Sequence, residues 1–190
     1  MSSQRATLLT PEEYLEIERR AERKSEYYQG VMYAMAGASQ QHVLIVTNLI
    51  IQLGNELADR PCQVYSADLR LRVSPTGLYT YPDVVVVCGE ARFADDQQDT
   101  LLNPTIVIEV LSESTQDYDR GRKFEHYRTL PSLRDYLTIA QDRPHIEHWS
   151  RLERGGSLME YTELNQTVEL PSIDAGLPLS RIYAKVEFDR

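Results

Sequence analysis

A chain of 190 residues that is 42% hydrophobic and 26% charged has the composition of a globular protein with one sizeable core. Its net charge of −9 stands against a protein that coats nucleic acid through a broad basic surface, although a local basic patch can still steer a polyanion. No apolar run approaches the roughly 20 residues needed to span a bilayer.

In chain order, the first element opens at Thr10-Pro11-Glu12-Glu13. Thr10 suits the N-cap, Pro11 the first helical position and Glu13 the return arm of a capping box, which predicts a short helix to about Glu22. EYYQGVMYAM reads as a hairpin turning at Gln29-Gly30. From Ser39 to Leu57 the spacing of Val43, Val46, Ile50, Leu53 and Leu57 predicts a helix with one buried face. VYSADLRLRV alternates and reads as one half-exposed strand. Val84 to Val87 and Ile106 to Ile108 are continuous β-branched runs, expected of central strands covered on both faces. A polar loop, SESTQDYDRG, leads into a helix from about Arg120 to Thr129. Leu133 to Ala140 reads as another strand, and the remainder as short strands joined by Gly and Pro turns. Helices on a mixed sheet make this an α/β or α+β chain, taken as one domain over 1–190. Twelve tyrosines hint at sheet content or a partner surface.

Cys62 and Cys88 have no CxxC spacing, so zinc and thioredoxin-type sites find no support. They read as two core thiols in a reducing cytoplasm. MSSQRATLLTPEEY lacks the apolar core of a signal peptide. A GxSxG elbow, a phosphate-binding P-loop and a dinucleotide fingerprint are all missing.

Two carboxylates deserve weight. Asp83 begins one apolar strand and Glu109 ends another, and burying an unpaired charge is costly. Paired strands would bring the two acids face to face, where a hard divalent cation relieves their repulsion. Equally, Asp83 can be a turn residue and Glu109 can pair with an arginine. Lys123 could orient a water at such a site or sit on a solvated helix face. Arg120 and Arg122 could contact phosphates or pair with Asp117, Asp119 or Glu125. His145 and His148 fall on opposite faces of a strand, which argues against a joint metal site. His126 reads as a helix-surface residue, and His42 opens the long helix.

The strings Tyr81-Pro82-Asp83 with the valine run, Asn103-Pro104, Ile108-Glu109-Val110-Leu111-Ser112, Thr115, Asp119-Arg120-Gly121-Arg122-Lys123-Phe124, Tyr127-Arg128 and Pro131-Ser132-Leu133 resemble the Uma-two family of candidate restriction endonucleases. Thr10 to Leu15, Glu26 with Gly30, Met35-Ala36-Gly37 and His42 fit it as well. The resemblance implies a PD-(D/E)XK nuclease fold, a central mixed sheet flanked by helices, here with an N-terminal hairpin and a small C-terminal β extension. It implies Asp83 and Glu109 as the motif acids and metal ligands, Glu26 as an upstream acid and the Val110 carbonyl as a further ligand. His42 and Arg122 are auxiliary candidates. The general motif puts its lysine two residues after the acid, where this chain has Leu111, so the resemblance implies that Lys123 takes over from the following helix. The implied activity is Mg²⁺-dependent phosphodiester hydrolysis, with Mn²⁺ as a substitute and DNA as the substrate. A homodimer is expected on other grounds, since two-fold dimers are the commonest assembly and two sites are needed to cut both strands together. The thiols and the lack of a long apolar run lead to the expectation of a cytoplasmic protein without membrane contact. The competing expectation is a weak or inactive nuclease-fold module that binds nucleic acid or protein, supported by the acidic charge and Leu111.

Overall fold

The structure is a computed structural model that describes residues 8–112 and 118–188. Thr115 and Asp117 of the polar loop lie outside the described residues. Helix α1 (Pro11–Glu18) starts as expected, with reciprocal bonds between Thr10 and Glu13 of 2.7 and 3.2 Å. It ends earlier than Glu22 because the Glu18 carboxylate turns inward to accept from Ser25 N and from the Tyr81 hydroxyl. That pull leads the chain into the hairpin of β1 (Ser25–Tyr28) and β2 (Val31–Ala34). Gln29 and Gly30 both take positive φ at its turn, and a Cβ on Gly30 would lie 2.6 Å from that of Leu8.

Helix α2 (Gln40–Glu56) is capped by Ser39. Its buried stripe is Ile45, Leu49, Leu53 and the following Leu57: Leu53 and Leu57 are buried as expected, but Ile45 and Leu49 take the places expected for Val43, Val46 and Ile50, and Val43 is 53% exposed. The helix is apolar on more than one face, so spacing alone did not choose between stripes. The predicted strand across VYSADLRLRV is two strands, β3 (Cys62–Ser66) and β4 (Arg70–Val73), lying in different sheets. Leu69 N closes a turn onto Ser66 O, and Lys24 clamps it through the Ala67 carbonyl and the Asp68 carboxylate.

Strands β5 (Leu78–Thr80), β6 (Val84–Cys88), β7 (Thr100–Leu101), β8 (Ile106–Leu111), β9 (Asp135–Ala140), β10 (Ile146–Arg151) and β11 (Gly156–Tyr161) complete two sheets. One runs β2-β1-β5-β4-β7 and the other β11-β10-β9-β8-β6-β3. The second is mixed: β8 and β9 are parallel and its other pairs antiparallel. A hairpin of β12 (Thr167–Leu170) and β13 (Ala175–Pro178) packs below it with helix α4 (Leu179–Ile182), which the sequence reading did not foresee. The predicted helix after β8 is a π-helical turn over Asp119–Lys123 followed by helix α3 (Phe124–Tyr127).

The valine run and Ile106 to Ile108 are buried on both faces, as expected of central strands. Val84, Val86, Ile106, Ile108 and Val110 face α2, α4 and the β12–β13 hairpin. Val85, Val87 and Val107 face the other way, toward Leu71, Leu101, Tyr127 and Tyr136. Cys62 and Cys88, partners in the β3–β6 register, form a disulfide rather than two thiols. That bond removes the ground on which a reducing compartment was expected. Among the described residues no helix is long and apolar enough to cross a membrane.

Candidate active site

The β6–β8 register pairs Val84 with Ile108, so one residue further along Asp83 stands opposite Glu109. Each acid leaves an apolar ladder at the same end of the sheet. Asp83 is tied down twice: its Oδ2 accepts from Val110 N at 2.7 Å, and its Oδ1 lies 3.1 Å from His42 Nε2. The N-terminal end of α2 thus delivers His42 to the strand ends. Burial opposes protonation of His42, but the hydrogen bond and charge of Asp83 outweigh it, with help from Asp119 and the Val110 carbonyl, and its pKa is raised.

Glu109 is 3% exposed and meets the residue predicted to join it. Lys123 Nζ lies 3.2 Å from Glu109 Oε1, 3.0 Å from Glu26 Oε1 and 3.2 Å from Asp119 Oδ1. A helix-borne lysine therefore does reach Glu109, while Leu111 is buried and apolar two residues after it. Asp119 Oδ1 faces the ammonium as an ion pair without hydrogen-bond geometry. One ammonium cannot neutralise three acids. Burial first, offset by Lys123 and then reinforced by the charges of Asp119 and Asp83, pushes Glu109 up to about 8. Lys123 itself is held well above its ordinary value, because the carboxylates around it overcome the cost of its burial.

Of the sequence-predicted residues, Asp83, Glu109, Lys123, Glu26 and His42 come together, with the Val110 backbone between them. Arg122 is exposed on the π-helical turn. Arg120 pairs with Glu147 at 3.2 Å, a carboxylate in line with Thr138 and Glu109 across the strand register. Sequence reasoning gave no site role to three residues. Asp119 is 3% exposed, and its spacing of four from Lys123 was the available signal. Tyr127, four residues after Lys123, donates to Glu109 Oε1 at 2.7 Å, and Thr80 donates to Glu26 Oε1 at 2.5 Å. Nothing local in the sequence marks Thr80.

The donors fit a hard divalent cation. Carboxylate oxygens suit magnesium, which takes one or two carboxylates and completes its shell with waters. The excess of buried carboxylates over the one ammonium they share points the same way. Among the described residues no group of three or more His, Cys, Asp or Glu is gathered as a ready-made cage, because three of these acids converge on Lys123 instead.

A mixed sheet with paired acids at its strand ends and a lysine on the adjacent helix defines a restriction-endonuclease-like fold. A crystal structure described as "a putative nuclease belonging to DUF820 from Anabaena variabilis" superposes with a TM-score of 0.75 at 17% identity, covering 93% of this chain and 98% of that one. The Uma2 family, described as "Putative restriction endonuclease", matches residues 11–181, and the chain belongs to it. Two uncharacterised proteins of Synechocystis sp. are similar to it. One is 38% identical over 163 residues, 85% of this chain and 92% of the relative. The other is 36% identical over 180 residues, 95% of this chain and 94% of the relative.

Proposed function

We propose that the chain is a Mg²⁺-dependent endonuclease that hydrolyses phosphodiester bonds in DNA. The observation that carries this reading is Asp83 opposite Glu109 at the ends of two buried strands, with Lys123 3.2 Å from Glu109. The family and the fold support it.

Asp83, Glu109 and the main-chain carbonyl of Val110 would hold magnesium or manganese, which when bound supplies Lewis-acid polarisation of the phosphate and a more acidic attacking water. His42 holds Asp83 by one oxygen and Val110 N holds it by the other, so that carboxylate is oriented before substrate arrives. Lys123 keeps its proton among the carboxylates and offers N–H donors to the attacking water and to the charge that grows on the phosphate. Glu26 shares the ammonium with Glu109 and keeps it at the strand ends, and its other oxygen would support a second ion or a metal-bound water. Arg122, exposed on the π-helical turn that carries Lys123, would meet the backbone of a bound duplex. Cutting both strands together calls for two such sites, which a two-fold homodimer supplies.

The test is conversion of supercoiled plasmid to nicked or linear DNA. Wild-type protein is expected to cut with Mg²⁺ or Mn²⁺ and not in EDTA, and Asp83→Ala and Glu109→Ala proteins purified alongside are expected not to cut. Equal cutting by Asp83→Ala would trace the activity to a contaminant and refute the assignment. Leu111 and the acidic surface favour the second reading, a nuclease fold kept for binding. That reading predicts intact plasmid and retention of DNA by the wild-type chain.

A further inference from the structure

Thr80 on β5 and Tyr127 on α3 are both fully buried, yet each brings a hydroxyl into the acid cluster. Thr80 Oγ1 donates to Glu26 Oε1 at 2.5 Å and the Tyr127 hydroxyl donates to Glu109 Oε1 at 2.7 Å. The two hydroxyl oxygens lie 3.5 Å apart. From the other side Lys123 Nζ meets the same two carboxylate oxygens, at 3.0 and 3.2 Å. Each acid is therefore pinned at one oxygen between a hydroxyl and the ammonium, and that pinning sets the direction of its second oxygen. Glu26 and Thr80 belong to the five-stranded sheet and Glu109 to the six-stranded one, so this ring is also where the two sheets are registered against each other at the site.

We propose that Thr80 and Tyr127 are positioning residues that preset Glu26 and Glu109 for a divalent cation, an inference that rests on the nuclease reading. Both hydroxyl protons go to carboxylate oxygens, so each acid is held in one rotation by a donor from the neighbouring element. Fixing a carboxylate's rotation before the ion arrives removes an ordering cost from binding. Outer partners of this kind carry about 10–100-fold in metal affinity or activity. If the two hydroxyls only satisfied buried polar atoms, their loss would lower the melting temperature and leave metal affinity alone.

The experiment is a calorimetric titration of Mn²⁺ into the full-length chain, wild type and three variants, with the melting temperature of each recorded without metal. Thr80→Val keeps the shape and loses the hydroxyl, Thr80→Ser keeps the hydroxyl, and Tyr127→Phe loses only the phenolic oxygen. The expected result is Mn²⁺ binding weakened about tenfold or more in Thr80→Val and Tyr127→Phe, with Thr80→Ser retaining wild-type affinity. If Tyr127→Phe does not fold, the two Thr80 variants decide. Wild-type Mn²⁺ affinity in the folded hydroxyl-free variants overturns the positioning role and leaves the nuclease reading standing. A wild-type chain that takes up no Mn²⁺ overturns the nuclease reading, and the positioning role with it.

Discussion

The six-stranded sheet buries two acid clusters that differ in their arithmetic of charge. On β9 and β10, Asp135 is 1% and His148 2% exposed, with Asp135 Oδ1 2.8 Å from His148 Nε2 and Oδ2 accepting from Ser172. One acid there meets one imidazole and one hydroxyl, and both carboxylate oxygens have partners. At the ends of β6 and β8, Asp83, Glu109, Glu26 and Asp119 share a single ammonium and a single imidazole. A buried cluster whose partners match is sufficient in itself. One with surplus carboxylates is what a divalent cation would complete under the proposed function, because an uncompensated buried charge is expensive.

The sharpest way to break this contrast is activity. Asp83→Ala and Glu109→Ala are each expected to slow plasmid cleavage by more than about a hundredfold, since even outer partners of metal ligands carry 10–100-fold. Asp135→Asn is expected to leave the rate per folded molecule unchanged. A comparable loss from Asp135→Asn would erase the distinction between the clusters.

Stability gives the second test. Lys123→Met leaves three buried carboxylates without their cation and is expected to cost about 3–5 kcal/mol in EDTA. Mn²⁺ should restore part of that loss, because a cation can stand in for the ammonium. Asp135→Ala should also destabilise, but Mn²⁺ should restore none of it. Denaturant melts with and without Mn²⁺ read both.

A smaller effect follows from pH. Glu109 is raised from the ordinary 4.5 to about 8, so its neutral form is the one the metal-free fold prefers. The stability tied to that protonated form is fully present below about pH 4.5 and is lost as pH rises through about 8. Metal-free wild type should therefore melt at progressively lower temperature across that window. Glu109→Gln, which cannot ionise, should flatten this part of the profile and melt above wild type at pH 8. A slope unchanged by Glu109→Gln would assign the pH dependence to other groups.

The smallest expected effect is that of Arg122→Ala. An exposed arginine contributes within about 0.5 kcal/mol to stability. Its loss should weaken DNA binding and flatten the salt dependence by about one phosphate contact, with Mn²⁺ affinity unchanged. Binding isotherms at several salt concentrations check it.

Much of this was readable from local chemistry. The capping box at Thr10, the Gln29-Gly30 turn and the two β-branched runs all formed as their residues require, because each depends on neighbours a few positions away. The burial of Ile45 rather than Val43, and the break of the chain at Ala67-Asp68, depend on what packs opposite and on a clamp from Lys24, which no window of sequence contains. The disulfide is hidden for the same reason, since Cys62 and Cys88 meet only through the β3–β6 register. At the site, a charge beside an apolar run drew attention to Asp83 and Glu109 but left a structural role open, and it was the family resemblance that pointed to a metal site and to Glu26. Lys123 was legible through the family resemblance. Thr80 and Tyr127 were not, because a hydroxyl earns no notice until the carboxylate it serves is in place.

In the proposed function, the surplus charge between Asp83 and Glu109 exists to hold a divalent cation. Anomalous diffraction from crystals of the wild-type chain soaked in Mn²⁺ tests it most directly. A manganese peak bonded to carboxylate oxygens of both Asp83 and Glu109 is the predicted result. A fully soaked crystal with no peak at those strand ends, or with manganese at Asp135 instead, would contradict it.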